Sequence, residues 1–475
     1  MKQFPLIAGM ATMLLAGCIN LQPDYKRPEP AVPADWPTGA AYRPVARDTR
    51  QTAIPDLGWD RFFIEPKLRK LIGLGLANNR DLRIAMLNVE KTRAQYRLQR
   101  AEQLPAINLE GKGDVERIPH RISSTGDAYT SHQYTAEVGI SAYELDLFGR
   151  IQSLKDQALE TYFSDIEAQR SAQITLVGEI ASGYLTLAAD MERLKLAQDT
   201  LASQQQSYDL TKRSFEIGNS SELDVRQAQT SVDSARVDIA AFTANVAQDQ
   251  NALALLLGTA VPPDLLPEQT LMAVTAVQDI PAGIPSDVLQ RRPDILEAEH
   301  VLKGANANIG AARAAFFPQI TLTATSGRMS DALSTLFKAG TGGWAFIPDI
   351  VLPIFDWGRN QANLDAAKAD RDIDIAQYDK AIQTAFKEVA DALADYGTLD
   401  DKLSAEQSLV EATSESYRLS DARYRKGIEN YLNVLDSQRS MYSAQQDLIS
   451  VRLSKQSNLV TLYKVLGGGW SRSGS

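Results

Sequence analysis

The chain carries its own sequence twice. Tyr208, Leu210, Gly218, Leu223, Val225, Gln229 and Ala235 recur as Tyr417, Leu419, Gly427, Leu432, Val434, Gln438 and Ala444, each pair 209 residues apart (417 minus 208 for the first). The same spacing relates Gly149-Arg150 to Gly358-Arg359, Thr175 to Thr384, Glu179 to Glu388 and Leu257-Gly258 to Leu466-Gly467. Upstream it becomes 213, relating Asp81 to Asp294, Ala85 to Ala298 and Pro105 to Pro318. Chance does not hold one offset over so many positions, so the fold is one unit built in tandem. The second copy is four residues shorter between its proline and its Gly-Arg pair.

Proline shows what each copy contains. None of the 20 prolines falls in 120–261, and none follows Pro353. Inside these gaps, Arg150–Gly218 and Arg359–Gly427 are rich in strong helix formers and poor in breakers. In the first, Ile174, Val177, Ala181, Tyr184, Ala188 and Met191 step by three and four in alternation, the spacing of a heptad seam. A helix of that length spans roughly 100 Å at about 1.5 Å per residue, more than a globular domain needs. Each run meets a glycine turn, Gly218-Asn219-Ser220-Ser221 or Gly427-Ile428-Glu429-Asn430, after which helix resumes with Ser221 or Asn430 as N-cap. These are two long helical hairpins.

Between the repeated proline and the Gly-Arg pair the pattern changes to alternation. Ile107, Leu109, Gly111, Gly113 and Val115 alternate with Asn108, Glu110, Lys112, Asp114 and Glu116. Tyr134, Ala136, Val138, Ile140 and Ala142 follow on the return, and Ile320, Leu322 and Ala324 repeat the theme in the second copy. Strands of about ten residues with one apolar face suit a membrane barrel. A soluble sheet with one wet face has the same period. One hairpin per copy gives four strands, whereas membrane barrels need at least about eight. Since an open sheet edge is forbidden in lipid, several chains must share one barrel if these hairpins enter a membrane.

The amino terminus reads as an address. Lys2 precedes an apolar run from Phe4 to Ala16, too short to span a bilayer, ending in Leu15-Ala16-Gly17-Cys18. Residues 1–17 form a signal peptide closed by a lipobox, and Cys18, the only cysteine, is the expected site of acylation by S-diacylglycerol and an N-acyl chain. Ile19 favours the outer membrane. Seven prolines between Ile19 and Leu57 then enforce an extended, acylated strap (18–57), with Trp36 and Tyr42 as docking points. Acids outnumber bases 59 to 49, a net charge of −10, which argues against nucleic acid as a partner. His120, His132 and His300 do not cluster as metal ligands, so no metal and no cofactor are expected.

Several ordered motifs resemble one family. They are Asp24-Tyr25-Lys26-Arg27-Pro28, Ser141-Ala142-Tyr143-Glu144-Leu145-Asp146-Leu147-Phe148-Gly149-Arg150, Arg292-Pro293-Asp294-Ile295 and Phe355-Asp356-Trp357-Gly358-Arg359. The chain thereby resembles the TolC-like outer-membrane factors, in the lipoprotein efflux branch of OprM and NodT type. The resemblance implies a mainly α protein with membrane β. Three protomers would make a 12-stranded barrel continuing into a long α-helical periplasmic barrel, with a mixed α/β equatorial domain. The expected layout is a first repeat over 58–265, with its β-hairpin at 106–148 and helical hairpin at 150–257. A linker (266–285) follows, then a second repeat over 286–467, with hairpins at 318–357 and 359–466, and a tail (468–475).

The resemblance also implies a passive exit channel in a Gram-negative envelope. Its partners would be a periplasmic adaptor and an inner-membrane pump of the resistance-nodulation-division class. Leu432 and Asp436 match the family's constricting leucine and aspartate rings, and Tyr424 and Arg439 are candidates for contacts that hold the tip closed. Gly218, Asn219, Ser221, Leu223, Gly427 and Asn430 are the expected adaptor-docking tips. For Leu432 the alternative is an ordinary helix-packing leucine, and for Asp436 a solvated helix charge. A type I secretion channel is the alternative pathway. A periplasmic adaptor would carry one helical hairpin, not two, and a coiled-coil lipoprotein would leave the strands unexplained. No phosphate loop, metal spacing or nucleophile motif supports an enzyme.

Overall fold

The computed structural model describes residues 20–29, 31–42, 57–124, 126–268, 273–275 and 286–468. The signal peptide and Cys18 lie outside the described residues, as do most of the 266–285 linker and all of the tail but Gly468. In chain order the helices and strands are α1 (Trp59–Phe62), α2 (Pro66–Asn78), α3 (Arg80–Ala101), β1 (Ile107–Ile118), β2 (Tyr129–Glu144), α4 (Arg150–Glu216), α5 (Glu222–Leu257), α6 (Pro293–Ala314), β3 (Gln319–Ser330), β4 (Gly342–Val351), α7 (Arg359–Arg425) and α8 (Tyr431–Val465). Among the described residues no helix is long and apolar enough to cross a membrane.

The proline-free gaps become α4 and α7, 67 residues each. Ahead of the first strand pair the structure has three helices. The break between α2 and α3 falls at Asn79, whose ψ of 134° is extended. Leaving the helix there frees both ends of its amide. Oδ1 accepts from the Leu82 N–H at 2.8 Å, capping α3, while Nδ2 donates to the Leu256 carbonyl at 2.9 Å.

Contacts divide the chain into two compact units. One gathers the strap up to Glu29, Val89–Asp165 and Glu297–Tyr378. It holds a four-stranded antiparallel sheet in the order β1-β2-β3-β4. Each repeat supplies a hairpin, and β2 joins β3 to make one sheet, from Tyr134 opposite Ser330 to Glu144 opposite Thr321. The register shifts by one residue between Ile140 and Tyr143, where Ala142 adopts φ 52°. At this seam a Cβ on Gly139 would meet the Ala324 carbonyl oxygen at 2.2 Å, and one on Gly327 the Ala136 oxygen at 2.3 Å, so only glycine fits. No strand among the described residues covers the outer edges of β1 and β4, and Leu109 and Trp344 are 84% and 80% exposed.

The strap is fastened within the same unit. Arg27 forks the Glu299 carboxylate of α6, Nε to Oε1 at 3.1 Å and Nη2 to Oε2 at 2.5 Å. Tyr25 donates its hydroxyl to Glu299 at 3.3 Å, and Lys303 pairs with Glu299 at 3.0 Å while lying over the Tyr25 ring. Burial of Glu299 works against its charge, but the Arg27 and Lys303 hydrogen bonds outweigh it and hold the carboxyl below its ordinary range. Asn306 and Arg313 donate to the Pro23 and Leu21 carbonyls at 2.8 and 3.0 Å, so the extended backbone is read along α6.

The other unit gathers Pro30–Asn88, Ile166–Leu296 and Asp379 onward, and carries the main apolar core. Phe62 stacks on Tyr463 with ring centres 3.9 Å apart, Phe63 meets the same ring edge-on, and Leu68, Leu71, Ile72, Ile180, Leu185 and Leu253 of the same unit are fully buried. At about 1.5–3 kcal/mol for each fully buried side chain, these residues contribute much of the packing energy of α1, α2, α4, α5 and α8. The seam Ile174, Val177, Ala181, Tyr184 and Ala188 is buried, and Met191 is half-buried. Leu176, Ile180, Leu185 and Leu187 are buried as well, so α4 is enclosed on more than one face here. Trp36 of the strap stacks on Phe386 at 4.8 Å.

Candidate gate at the helical tips

The two turns that reverse the long helices are built alike. Gly218 and Gly427 take φ of 83° and 71°, the left-handed conformation that glycine adopts without a Cβ penalty. The Asn219 N–H bonds the Ser214 carbonyl at 2.8 Å, and its counterpart Ile428 bonds Arg423 at 3.0 Å, closing the last helical carbonyls in both copies. The return helices are then capped. Ser221 and Asp224 form a reciprocal capping box, and Asn430 accepts from the Asn433 N–H at 3.1 Å.

Just behind the turns sits an aromatic plug. Ala228, Tyr431, Val434 and Leu435 are buried together, with Tyr208, Tyr417 and Tyr424 packed against them, so residues of both hairpins share one cluster. The Tyr424 and Tyr431 rings lie 5.2 Å apart. Burial pushes the Tyr431 hydroxyl up to about 12, so it stays protonated through the physiological range.

The opposite face of α8 is open. Leu432 is 52% exposed, and Asp436 and Arg439, one and two turns further on, are exposed beside it. The packing residues of this stretch are Val434, Leu435 and Gln438. Leu432 is therefore not the helix-packing leucine of its own chain; Leu435 is. Asp421 and Glu429 pair with Arg425 and Arg423 at 2.8 and 3.0 Å, whereas Asp436 and Arg439 make no ion pair among the described residues. Tyr424 is half-buried in the aromatic cluster. What the arrangement offers is an apolar side chain and a carboxylate on one uncovered helical face, backed by a packed aromatic cluster.

Gly218, Asn219, Ser221, Leu223, Gly427 and Asn430 all lie exposed on the two turns, Leu223 to 65%. Ile217 and Ile428, which the sequence reading passed over, add exposed apolar surface at 73% and 62%. Of two further groups, Glu299 was not singled out and Arg292 was quoted only as part of a motif, with no structural role assigned. Glu299 could have been noticed because the duplication places Met86 at the matching position, so the acid belongs to the second copy alone. The Arg292 side chain, 10% exposed, donates to the Val465 carbonyl at 2.7 Å and pairs with Asp294 and Glu388 at 2.6 and 2.9 Å. It lies in the wall of a cavity of about 600 Å³ shared with Glu179, Asp391, Asp395 and Lys464. Its match in the first copy is Asn79, which holds the equivalent carbonyl of Leu256.

Both repeats match the family model of outer membrane efflux proteins, over residues 71–259 and 284–468. The toluene efflux pump outer membrane protein TtgC of Pseudomonas putida is 50% identical over 465 residues, 98% of this chain and 95% of that protein. Outer membrane protein OprJ of Pseudomonas aeruginosa is 40% identical over 470 residues, 98% of this chain and 97% of that one. The crystal structure of the open state of the Neisseria gonorrhoeae MtrE outer membrane channel is similar at a TM-score of 0.86 and 38% identity, covering 95% of this chain and 99% of that chain.

Proposed function

Because the chain belongs to the outer membrane efflux protein family, we propose that three copies of it form the exit duct of a tripartite efflux system, acylated at Cys18 and standing in the outer membrane. The duct is a passive conduit and not an enzyme. The observation that carries the reading is the sheet: four antiparallel strands with uncovered outer edges and strongly exposed apolar side chains on β1 and β4. An open edge has no place in lipid, and three such sheets supply twelve strands, enough to close a barrel.

Leu432 and Asp436 act as the gate. A threefold ring of Leu432 side chains excludes water, and three Asp436 carboxylates add a charge barrier beside it. The exposure of both residues in one chain, and the absence of an ion pair to Asp436 among the described residues, support that role. Tyr424 steadies the plug, and Arg439 is free to contact a neighbouring hairpin. The exposed turns at Gly218–Leu223 and Gly427–Asn430 receive the periplasmic adaptor, which links the duct to an inner-membrane pump of the resistance-nodulation-division class. Cargo is chosen by that pump. Toluene, the cargo named for the Pseudomonas putida relative, makes small apolar molecules the class to try first.

The test is single-channel conductance of the purified acylated protein in a planar bilayer, beside Leu432→Ala and Asp436→Ala. Higher conductance in either variant supports the gate. Equal conductance in all three moves the gate elsewhere, and silence in all three despite confirmed insertion refutes the duct.

A further inference from the structure

The charges of the sheet are sorted by face. Opposed residues of an antiparallel ladder share a face, so the register gathers Ile107, Leu109, Val138, Ile140, Phe346 and Ile350 on one side. Every carboxylate of the four strands, namely Glu110, Asp114, Glu116, Glu137, Glu144 and Asp349, lies on the other side. The apolar side holds Arg117, His132 and Arg328 instead, all in the half of the sheet nearest the turns. Arg328 is held by its own turn, donating from Nη1 to the Lys338 carbonyl at 2.9 Å and to the Thr341 hydroxyl at 3.2 Å. Arg117 and His132 are exposed and make no hydrogen bond or ion pair among the described residues. They sit diagonally on neighbouring strands, since His132 faces Val115, two residues before Arg117, and such diagonal neighbours stand about 7–8 Å apart.

The height of this pair is that of a membrane interface. Arg117 lies ten residues beyond Ile107 (117 minus 107), about 34 Å along the strand at about 3.4 Å each, which a tilt of about 40° turns into about 26 Å. An outward apolar band is about 25 Å tall and ends in aromatic residues. The aromatic residue is Tyr134, next below His132 on the same side, and its ring lies over Gly113, where a Cβ would meet it at 3.3 Å. The duplication repeats the aromatic residue but not the charges. Ile107 opposite Ile140 recurs as Ile320 opposite Ile350, offsets of 213 and 210. Those offsets carry Tyr134 to Trp344, whereas Arg117 becomes Ser330 and His132 becomes Gly342. A hairpin of this kind therefore forms without the basic pair.

We propose that Arg117 and His132 bind the terminal phosphate of a membrane lipid whose acyl chains lie along the apolar side of the sheet. The inference rests on the membrane reading above and adds a lipid site to it. A phosphomonoester carries about −1.5 to −2 charges at neutral pH and offers three terminal oxygens. The Arg117 guanidinium forks two of them, and His132 donates a ring N–H to the third. A phosphodiester headgroup has two free oxygens and one charge, so it cannot serve both residues as fully. The turn above adds His120 and Arg121 against a single acid, Asp127, which favours an anion there. Below the phosphate, Val115, Leu109 and Val138 give the acyl chains their apolar contact. Helices join the strands at the opposite end, so the lipid belongs to the leaflet farther from the helical hairpins.

Native mass spectrometry of the full acylated protein in detergent tests the site. The probes are lipid A as the phosphomonoester, phosphatidylglycerol as the diester, phosphatidylcholine as the lipid without net charge, and inorganic phosphate as the free anion. The variants are Arg117→Gln, His132→Phe and, on the other side of the sheet, Lys112→Gln. Lipid A bound about tenfold more tightly than phosphatidylglycerol is expected, with about a tenfold loss in Arg117→Gln, a smaller loss in His132→Phe and none in Lys112→Gln. Equal binding by wild type and Arg117→Gln, or an equal loss in Lys112→Gln, overturns the site. Equal affinity for lipid A, phosphatidylglycerol and phosphatidylcholine, or for lipid A and phosphatidylglycerol alone, overturns the choice of a terminal phosphate. Inorganic phosphate binding as tightly as lipid A overturns the lipid as its source. Any of these results in particles with the mass of three chains leaves the ring reading standing. Particles of one chain that never insert into liposomes overturn the ring reading, and the lipid site with it.

Discussion

Replacing Arg292 with alanine removes the guanidinium that connects the start of α6 to the last turn of α8. The Val465 carbonyl, which Arg292 meets at 2.7 Å, is one of the end-of-helix carbonyls without an intrahelical donor, and leaving such a group buried and unpaired costs about 1–3 kcal/mol. The ion pairs to Asp294 and Glu388 add less. Those carboxylates are 38% and 42% exposed, so water replaces most of what they lose, and each contributes at most about 1 kcal/mol. The expected loss is about 3 kcal/mol, roughly a hundredfold in the local opening equilibrium. Arg292→Asn separates the two contributions. Asn79, at the matching position of the first repeat, reaches the Leu256 carbonyl at 2.9 Å, so asparagine at 292 recovers the carbonyl bond and loses only the ion pairs. Hydrogen exchange of the whole protein in detergent reads this at the Leu466 and Gly468 amides, which bond the Leu462 and Tyr463 carbonyls. Exchange about a hundredfold faster in Arg292→Ala and less than tenfold faster in Arg292→Asn is expected. Wild-type exchange in the alanine variant, or equal damage from both, would refute the structural equivalence of the two sites.

Glu299→Gln removes the charge that Arg27 and Lys303 share, and limited proteolysis should then cut the strap around Tyr25–Arg27 at least tenfold faster while the helical core resists; an unchanged rate would show that the backbone bonds to Asn306 and Arg313 suffice. Asp249 has its pKa pushed up to about 6 by burial and then by Asp190, against the pull of Arg193, and its buried Oδ2 has no hydrogen-bond partner among the described residues. A carboxyl raised in the folded state above about 3.9 disfavours folding when ionised, and that penalty fades as pH falls through about 6. Asp249→Asn should therefore unfold at a higher temperature than wild type at pH 8, with the gap closing between pH 7 and pH 4; a gap independent of pH would contradict the assignment.

Much of this was legible because breakers and caps act locally. Pro119, Pro262 and Pro353 bound the regions that can hold long helices, and Gly218 and Gly427 mark where each reverses. The N-cap roles of Ser221 and Asn430 follow from side-chain chemistry alone and appear in the structure. The seam from Ile174 was legible as one stripe, but a period reports only the strongest face, so the burial of Leu176, Leu185 and Leu187 by additional neighbours did not show. Long-range polar contacts were the least visible. Nothing near Arg27 in sequence announces Glu299, 272 residues away, and nothing near Arg292 announces Val465, 173 away. Both emerge only when one copy is laid on the other and the mismatched residue, Met86 or Asn79, asks for an explanation. The tip was legible as a turn, yet which leucine packs and which faces outward depended on the roll of α8, fixed by Tyr431 and Leu435.

The uncovered strands also constrain how such a protein comes into being. A lone subunit presents two sticky margins, of 12 and 10 residues, with bulky side chains such as Trp344, Phe346 and Leu109 standing in solvent. Adding a second subunit covers one pair of margins and leaves as many exposed as before. In the proposed ring only the third removes them all at once, so partial assemblies gain nothing at their ends and remain open to runaway chain growth. For the proposed ring, the vulnerable stage is therefore every assembly short of three subunits, when the margins of β1 and β4 stand open.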